Sequence, residues 1–182
     1  MPISRLLHSR RALNFVGAGL CFALLGYALY AQYGLHLEPC PLCILQRIGI
    51  VLLGIVFLLA AAHHPRARGA YVYAALLVLA AGATIGVAAR HLYIQSQPPG
   101  SVPACGAPLN TLLQMFPLTE VIRKVLHGGG ECAEISWRFL GLSMPAWVLL
   151  AAAALGVLGV WTNAVLVSRP RRIGLAQTPS AR

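Results

Sequence analysis

Four stretches of about twenty apolar residues dominate this chain and leave few folds open to it. They run from about Ala12 to Tyr30, Ile44 to Ala62, Ala70 to Ala89 and Pro145 to Val167. A helix needs roughly 20 such residues to cross a hydrocarbon layer of about 30 Å. Inside a bilayer every backbone N–H and C=O must be bonded internally, so four spans make a bundle of helices. The expected fold is an all-α membrane protein: a four-transmembrane-helix bundle forming one domain over residues 1–182, with two outward loops at about 31–43 and 90–144. Composition agrees, with 58% of residues apolar and 10% charged, against about 25% charged in an ordinary soluble domain.

The basic residues orient the bundle. Arg5, Arg10 and Arg11 precede the first run, Arg66 and Arg68 lie between the second and third, and Arg169, Arg171 and Arg172 follow the fourth. The link from Ala31 to Pro41 has neither Lys nor Arg. Positive charge marks the cytoplasmic side, which places both termini and the 63–69 link there and turns the other two loops outward. Arg90, Arg123, Lys124 and Arg138 in the long loop weaken the contrast without reversing it. The first run follows basic residues as a secretory signal does, but no small-x-small cleavage site follows it. It is read as an uncleaved first span. The tail after Arg172 is short and polar, and disorder is expected there.

Residue types restrict the chemistry. Glu38, Glu120, Glu131 and Glu134 are the only side-chain carboxylates, and Asp is absent. Paired-carboxylate catalysis and an oxygen-ligand site for calcium or magnesium are therefore disfavoured. The net charge of +10 does not point to nucleic acid, because the basic residues sit at the ends of apolar runs rather than along a face. Gly17, Gly19, Gly26, Gly82, Gly86, Gly156 and Gly159 lie within spans, where small residues let helices approach closely. No internal repeat is found.

Five cysteines remain. Cys21 is mid-span and reads as a small hydrophobe. The other four fall in the outward loops: Cys40 and Cys43 in Cys-Pro-Leu-Cys before the second span, Cys105 and Cys132 in the long loop. Outside the cytoplasm disulfides form and persist. Three readings compete. Two disulfides could pin the loops. Four thiolates could bind zinc, although zinc signatures usually supply two close pairs and Cys105 and Cys132 are 27 positions apart (132 − 105); no metal site is expected. Or the Cys-x-x-Cys pair could be a redox centre. Cys43 opens a helix, whose partial positive charge favours a thiolate. Arg47 lies one turn further on the same face. A charge four residues into an apolar helix is functional by default, although a long side chain could also snorkel to the headgroups.

These residues resemble the DsbB family, the disulfide bond formation proteins of bacterial inner membranes. The likeness covers about residues 12–167. It rests on Cys40-Pro-Leu-Cys43-Ile-Leu-Gln-Arg47 opening the second span, Cys105 in the second outer loop, and Cys132-Ala-Glu followed by Trp137-Arg-Phe-Leu-Gly-Leu-Ser-Met-Pro145. Pro41, and Gln46 where an acidic residue is familiar, are departures. The resemblance implies a multi-pass protein of the bacterial inner membrane that oxidises a periplasmic DsbA-like dithiol oxidase and passes electrons to membrane quinone, ubiquinone or menaquinone, without a metal. Its partners would be that oxidase, the quinone pool and lipid, and no nucleic acid.

It also implies roles. Reduced donor would attack a Cys105–Cys132 disulfide at Cys105, the freed Cys132 would attack Cys40, and Cys43 would be released beside the quinone. Arg47 matches the family's quinone-associated arginine. His91 and Gln95 match positions near its quinone site. The residues themselves suit such a relay. Cys105 lies in Pro-Pro-Gly-Ser-Val-Pro-Ala-Cys-Gly, too broken for helix and expected to be mobile and exposed, and three glycines precede Glu131-Cys132. Between them, Thr119 to Leu126 carries Val121, Ile122, Val125 and Leu126 on one helical side. That amphipathic piece could lie on the membrane surface or pack on the bundle.

Three rivals are weighed against the relay. A membrane thiol reductase would place cysteines within reach of cytoplasmic thioredoxin, and the inner faces have none. An enzyme like vitamin K epoxide reductase carries its Cys-x-x-Cys late in the chain. A scaffold with structural disulfides would not require Arg47 beside Cys43.

Overall fold

The computed structural model describes residues 9–63, 65, 67–98, 111 and 114–168. Helices α1 (Arg10–Tyr33), α2 (Pro41–His63) and α3 (Ala67–Gln95) form three spans. After the loop come α4 (Leu118–His127), the single turn α5 (Gly130–Ala133) and a hairpin of β1 (Arg138–Phe139) and β2 (Leu142–Ser143). The fourth span is α6 (Met144–Val160), continued by a π turn at Trp161–Val165 and α7 (Leu166–Ser168). Among the described residues four helices are thus long and apolar enough to cross a membrane, and the chain is a multi-pass membrane bundle.

Local sequence sets the ends of the helices. Ser9 caps α1, its Oγ accepting the Ala12 N–H at 3.5 Å. Pro41 is the first residue of α2, where its fixed φ suits a helix and its missing N–H costs nothing. Helix therefore begins at Pro41, so Cys43 stands in the first turn of α2, as a residue expected to open that helix, and the first outer loop ends before 43. Likewise α3 continues to Gln95, past residue 90 where the outer loop was bounded, and His91 and Gln95 stand at the outer end of the third helix as expected. The Leu140-Gly141 turn joins β1 to β2 with φ of 49° and 80°, as a two-residue hairpin of primed type requires.

α1 packs on α2, α2 on α3, and α3 on α6. Their core is Ala18, Cys21, Ile50, Leu53, Phe57, Leu77, Ala81 and Leu155. Large apolar side chains also cover the outside, with Leu79 and Val157 each 70% exposed. A surface of that kind is satisfied by lipid. Cys21 is a buried member of the core, in keeping with its reading as a small hydrophobe.

The seven glycines named from the sequence do not share one role. A Cβ at Gly17 would stand 2.8 Å from the Phe57 ring, one at Gly156 3.0 Å from Ala81, and one at Gly159 2.7 Å from Leu77. At Gly19, Gly26, Gly82 and Gly86 it would meet nothing within 4 Å. Of these seven, close packing explains Gly17, Gly156 and Gly159 alone.

At the end of the bundle holding residue 65, Asn14 and Asn163 exchange two buried hydrogen bonds of 3.2 and 3.0 Å. Arg10 donates to the Pro65 carbonyl at 3.2 and 3.3 Å. This clasp joins α1 to the fourth span and to the α2–α3 link.

A second cluster forms the thiol-bearing end: Cys40, Leu42, Ile94, Val121, Val125 and Cys132. α4 contributes through Val121 and Val125, 2% and 4% exposed, while Ile122 and Leu126 on the same side are 47% and 39% exposed. The amphipathic piece therefore packs on the bundle with half of its apolar residues and leaves the rest outside. Arg90 fastens its end, donating through Nε to the Leu126 carbonyl at 2.9 Å.

Candidate functional site

The Cys-x-x-Cys spacing is that of a helix cap. Cys40 precedes Pro41 in the N-cap position, and its carbonyl accepts the Ile44 N–H at 3.2 Å. Its Sγ accepts the Cys43 N–H at 3.4 Å, as a capping Ser or Asp oxygen would. The two sulfurs are 3.1 Å apart. One helix start thus holds both thiols side by side, at the end of the helix that carries partial positive charge.

Cys132 reaches the same place from the long loop. α5 turns it inward, with its N–H bonded to the Gly129 carbonyl at 2.9 Å, and its side chain is 1% exposed. The sulfurs of Cys40 and Cys132 and a His91 ring nitrogen all lie within 4.8 Å of one another. Hydrogen bonding with the Cys40 thiol, followed by burial, pushes the Cys132 thiol well above the ordinary cysteine range.

His91 projects from α3 between the two loops. Its Nε2 is 3.1 Å from the Cys132 carbonyl and 3.8 Å from Cys40 Sγ. A carbonyl can only accept, so Nε2 carries the proton. In the neutral ring Nδ1 is then an acceptor, and Gln46 Nε2 donates to it across 3.1 Å. Gln46 and His91 are 3% and 2% exposed. Sequence reasoning treated Gln46 as a departure and missed its contact with His91. The available signal was a neutral amide within an apolar helix, which needs a partner.

Arg47 points toward α1. Its Nη2 donates to the Ala28 carbonyl at 3.0 Å, and its Nη1 to Gln32 Oε1. Gln95 points elsewhere, its Oε1 accepting from Ser143 Oγ at 2.8 Å. Cys105 lies outside the described residues.

Two cavities meet at Cys43 and Arg47. The larger, about 620 Å³, is walled by apolar residues of α1, α2, the hairpin and α6, with Cys43, Gln46 and Arg47 along one side. Tyr27, Trp137, Phe139 and Trp147 give it an aromatic wall. Trp137 lies edge-on to Tyr27 at 6.0 Å and stacks on Phe139 at 6.1 Å, and Trp147 Nε1 bonds the Phe139 carbonyl at 3.1 Å. Sequence reasoning quoted this segment but assigned it no wall. The smaller cavity, about 60 Å³, is lined by Cys40, Cys43, Arg47, His91 and Gln95 together with Glu38, Glu131 and Glu134. Of these two cavities, His91 and Gln95 line only the smaller.

The donor set suits two kinds of guest. An apolar cavity with one sulfur and one guanidinium on its wall fits a flat, largely apolar ring carrying oxygen acceptors. The sulfurs and imidazole suit thiol exchange, or a soft metal ion.

Comparison with known proteins identifies relatives. Residues 10–162 match the family model described as disulfide bond formation protein DsbB. A disulfide bond formation protein B from Chromobacterium violaceum is 50% identical over 155 residues, covering 85% of this chain and 91% of the relative. One from Nitrosococcus oceani is 48% identical over 153 residues, 84% of this chain and 90% of the relative. One from Methylococcus capsulatus is 44% identical, covering 87% and 98%.

Proposed function

The chain belongs to the DsbB family of disulfide bond formation proteins, and from that premise we propose that it is a protein thiol:quinone oxidoreductase that reoxidises a periplasmic DsbA-like dithiol oxidase. It resides in the bacterial inner membrane with both termini in the cytoplasm and its thiol-bearing end in the periplasm. The observation that carries the reading is the convergence of Cys40, Cys43 and Cys132 at the edge of the apolar cavity that Cys43 and Arg47 line.

The donor dithiol attacks Cys105 in a Cys105–Cys132 disulfide. Cys132, displaced, attacks Cys40 in the Cys40–Cys43 disulfide and releases Cys43. Thiol exchange needs access of one sulfur to another, and Cys132 already lies within 4.8 Å of Cys40. Bound quinone supplies the two-electron acceptor. The second donor thiol closes the donor disulfide and releases Cys105, which attacks Cys132 and re-forms the Cys105–Cys132 disulfide. The donor's two electrons and two protons are thereby passed to Cys40 and Cys43, whose disulfide is restored as they pass on to quinone.

The chain's own residues prepare these steps. Capping by Cys40 fixes the sulfur spacing. The Nε2–H of His91 faces Cys40 Sγ and the Cys132 carbonyl, holding the long loop against α2. Arg47 presents positive charge on the cavity wall, where oxygen acceptors would lie. Gln95 ties the start of the fourth span to α3 through Ser143.

The test is catalytic oxidation of a reduced DsbA-type protein by the purified chain with a soluble quinone. Wild type should consume quinone, and Cys43→Ser and Cys105→Ser should not. Quinone consumption that survives either substitution would sink the relay.

A further inference from the structure

We propose that the reduced protein has a second property: Cys40, Cys132 and His91 form a site for a thiophilic divalent cation of the zinc class, and its occupancy locks the thiols. The site opens and closes with the redox state of the chain.

The donors are suitable in type and position. Zinc takes sulfur at about 2.3 Å and imidazole nitrogen at about 2.0–2.1 Å in a tetrahedron, so neighbouring ligand atoms stand roughly 3.5–3.8 Å apart. Here Cys40 Sγ and His91 Nε2 are already 3.8 Å apart, and all three donor atoms lie within 4.8 Å of one another. Small side-chain rotations would close the remainder. Cys43 Sγ, 3.1 Å from Cys40 Sγ, offers a fourth ligand. Sequence spacing disfavoured zinc because four cysteines did not form two close pairs. The donor set is a different one, assembled from α2, α3 and α5, with an imidazole in it.

The surroundings are suitable as well. A ligating histidine is normally held by a hydrogen bond at its other nitrogen. Gln46 stands at Nδ1, 3.1 Å away. When Nε2 binds an ion the ring proton moves to Nδ1, and a half-turn of the amide presents Gln46 Oε1 to accept it. Cys40, His91 and Cys132 are all buried, and the positive charge of Arg47 is turned to Ala28 and Gln32 on α1.

Binding transfers no electrons. The Cys40 and Cys132 thiols release two protons to solvent and their sulfurs bind the ion as thiolates, and Cys43, where it takes the fourth position, releases a third. A disulfide at either cysteine removes that thiolate, so the oxidised chain has no site. In the reduced chain, an ion held by both sulfurs blocks exchange between the loops.

Cobalt(II) tests the site directly, because thiolate ligation gives it a sulfur-to-metal absorption band. The measurement uses the full-length, tag-free chain in detergent, reduced with a phosphine and desalted without oxygen. It involves neither dithiol donor nor quinone, so its failure and a failure of the relay are separate results. Expected are one cobalt per reduced chain, displacement by zinc, and no band from the oxidised chain. His91→Ala should weaken binding at least about tenfold, His91→Cys should bind with a stronger sulfur band, and Cys105→Ser should bind as wild type does. No band from the reduced wild type, full affinity in His91→Ala, an unchanged spectrum in His91→Cys, or loss of binding in Cys105→Ser would each overturn the assignment.

Discussion

The side-chain amide of Gln46 donates to His91 Nδ1 across 3.1 Å, between two side chains that water scarcely reaches. That contact fixes which nitrogen of His91 faces the cysteines. Gln46→Leu removes the donor and leaves Nδ1 buried without a partner. A buried polar atom left unpaired costs about 1–3 kcal/mol. The variant should unfold at lower temperature in detergent, and oxidation of a reduced donor should slow although Cys43 and Arg47 keep their places on the wall of the large cavity, which Gln46 also lines. Unaltered melting together with unaltered turnover would show that the pair contributes nothing.

Cys132 gives a prediction about reactivity. Its thiol is bonded to Cys40 and buried, which raises its pKa. A raised thiol pKa means less thiolate at a given pH, and thiolate is the species that alkylates. In the fully reduced chain at neutral pH, Cys132 should react with iodoacetamide about tenfold or more slowly than a free cysteine. The rate should keep rising beyond the pH at which free cysteine has levelled off. Cys40→Ala should speed the reaction by removing the first cause. Mass spectrometry of the tryptic peptides at a series of times and pH values reads this directly, and an ordinary rate in the wild type would refute it.

The glycines separate packing from mere presence in a span. Gly17→Ala drives a methyl against the Phe57 ring, with a Cβ placed 2.8 Å away, and overpacking of this kind costs about 1–3 kcal/mol. Gly82→Ala meets nothing within 4 Å, and replacing a helical glycine by alanine gains about 0.5–1 kcal/mol. Thermal unfolding in detergent should therefore move in opposite directions for the two variants. Equal shifts would contradict the packing described.

That contrast shows how far the sequence could be read. The four spans were legible because a bilayer accepts only long apolar helices, and the runs are long. Cys40, Cys43, Arg47 and Cys132 stood out because thiols and charge are rare in such surroundings. Which face a glycine occupies is a rotation about the helix axis, and small residues on every side of α1 and α3 leave that rotation undetermined. The same ambiguity hid the inward turn of Gln46 and the aromatic wall of Trp137, Phe139 and Trp147. The Leu140-Gly141 hairpin was missed because its strands are two residues long, too short for any alternating pattern. Resemblance set His91 near a quinone site, and its place beside the thiols was not read from the sequence. Its contact with Cys40 and Cys132 depends on α3 continuing past residue 90, where hydropathy had already fallen.

Arg47 allows the quinone step to be separated from thiol exchange. The guanidinium is held on two sides, by the Ala28 carbonyl and by Gln32 Oε1, and it lines the same cavity as Cys43. Lysine keeps the charge but loses the planar fork, so it cannot serve both partners on α1 and face the cavity at once. A hydrogen bond to a charged group contributes about 1.5–3 kcal/mol, which corresponds to roughly 10–100-fold in an equilibrium constant. Arg47→Lys should therefore raise the KM for a soluble quinone by about that factor. A single exchange between a reduced donor and the oxidised chain, followed without quinone by trapping of mixed disulfides, should proceed at the wild-type rate, because Cys132 and Cys40 meet on the other side of α2's first turn with His91. If the exchange slows as much as the quinone step, Arg47 acts by holding α1 against α2 rather than by facing the cavity.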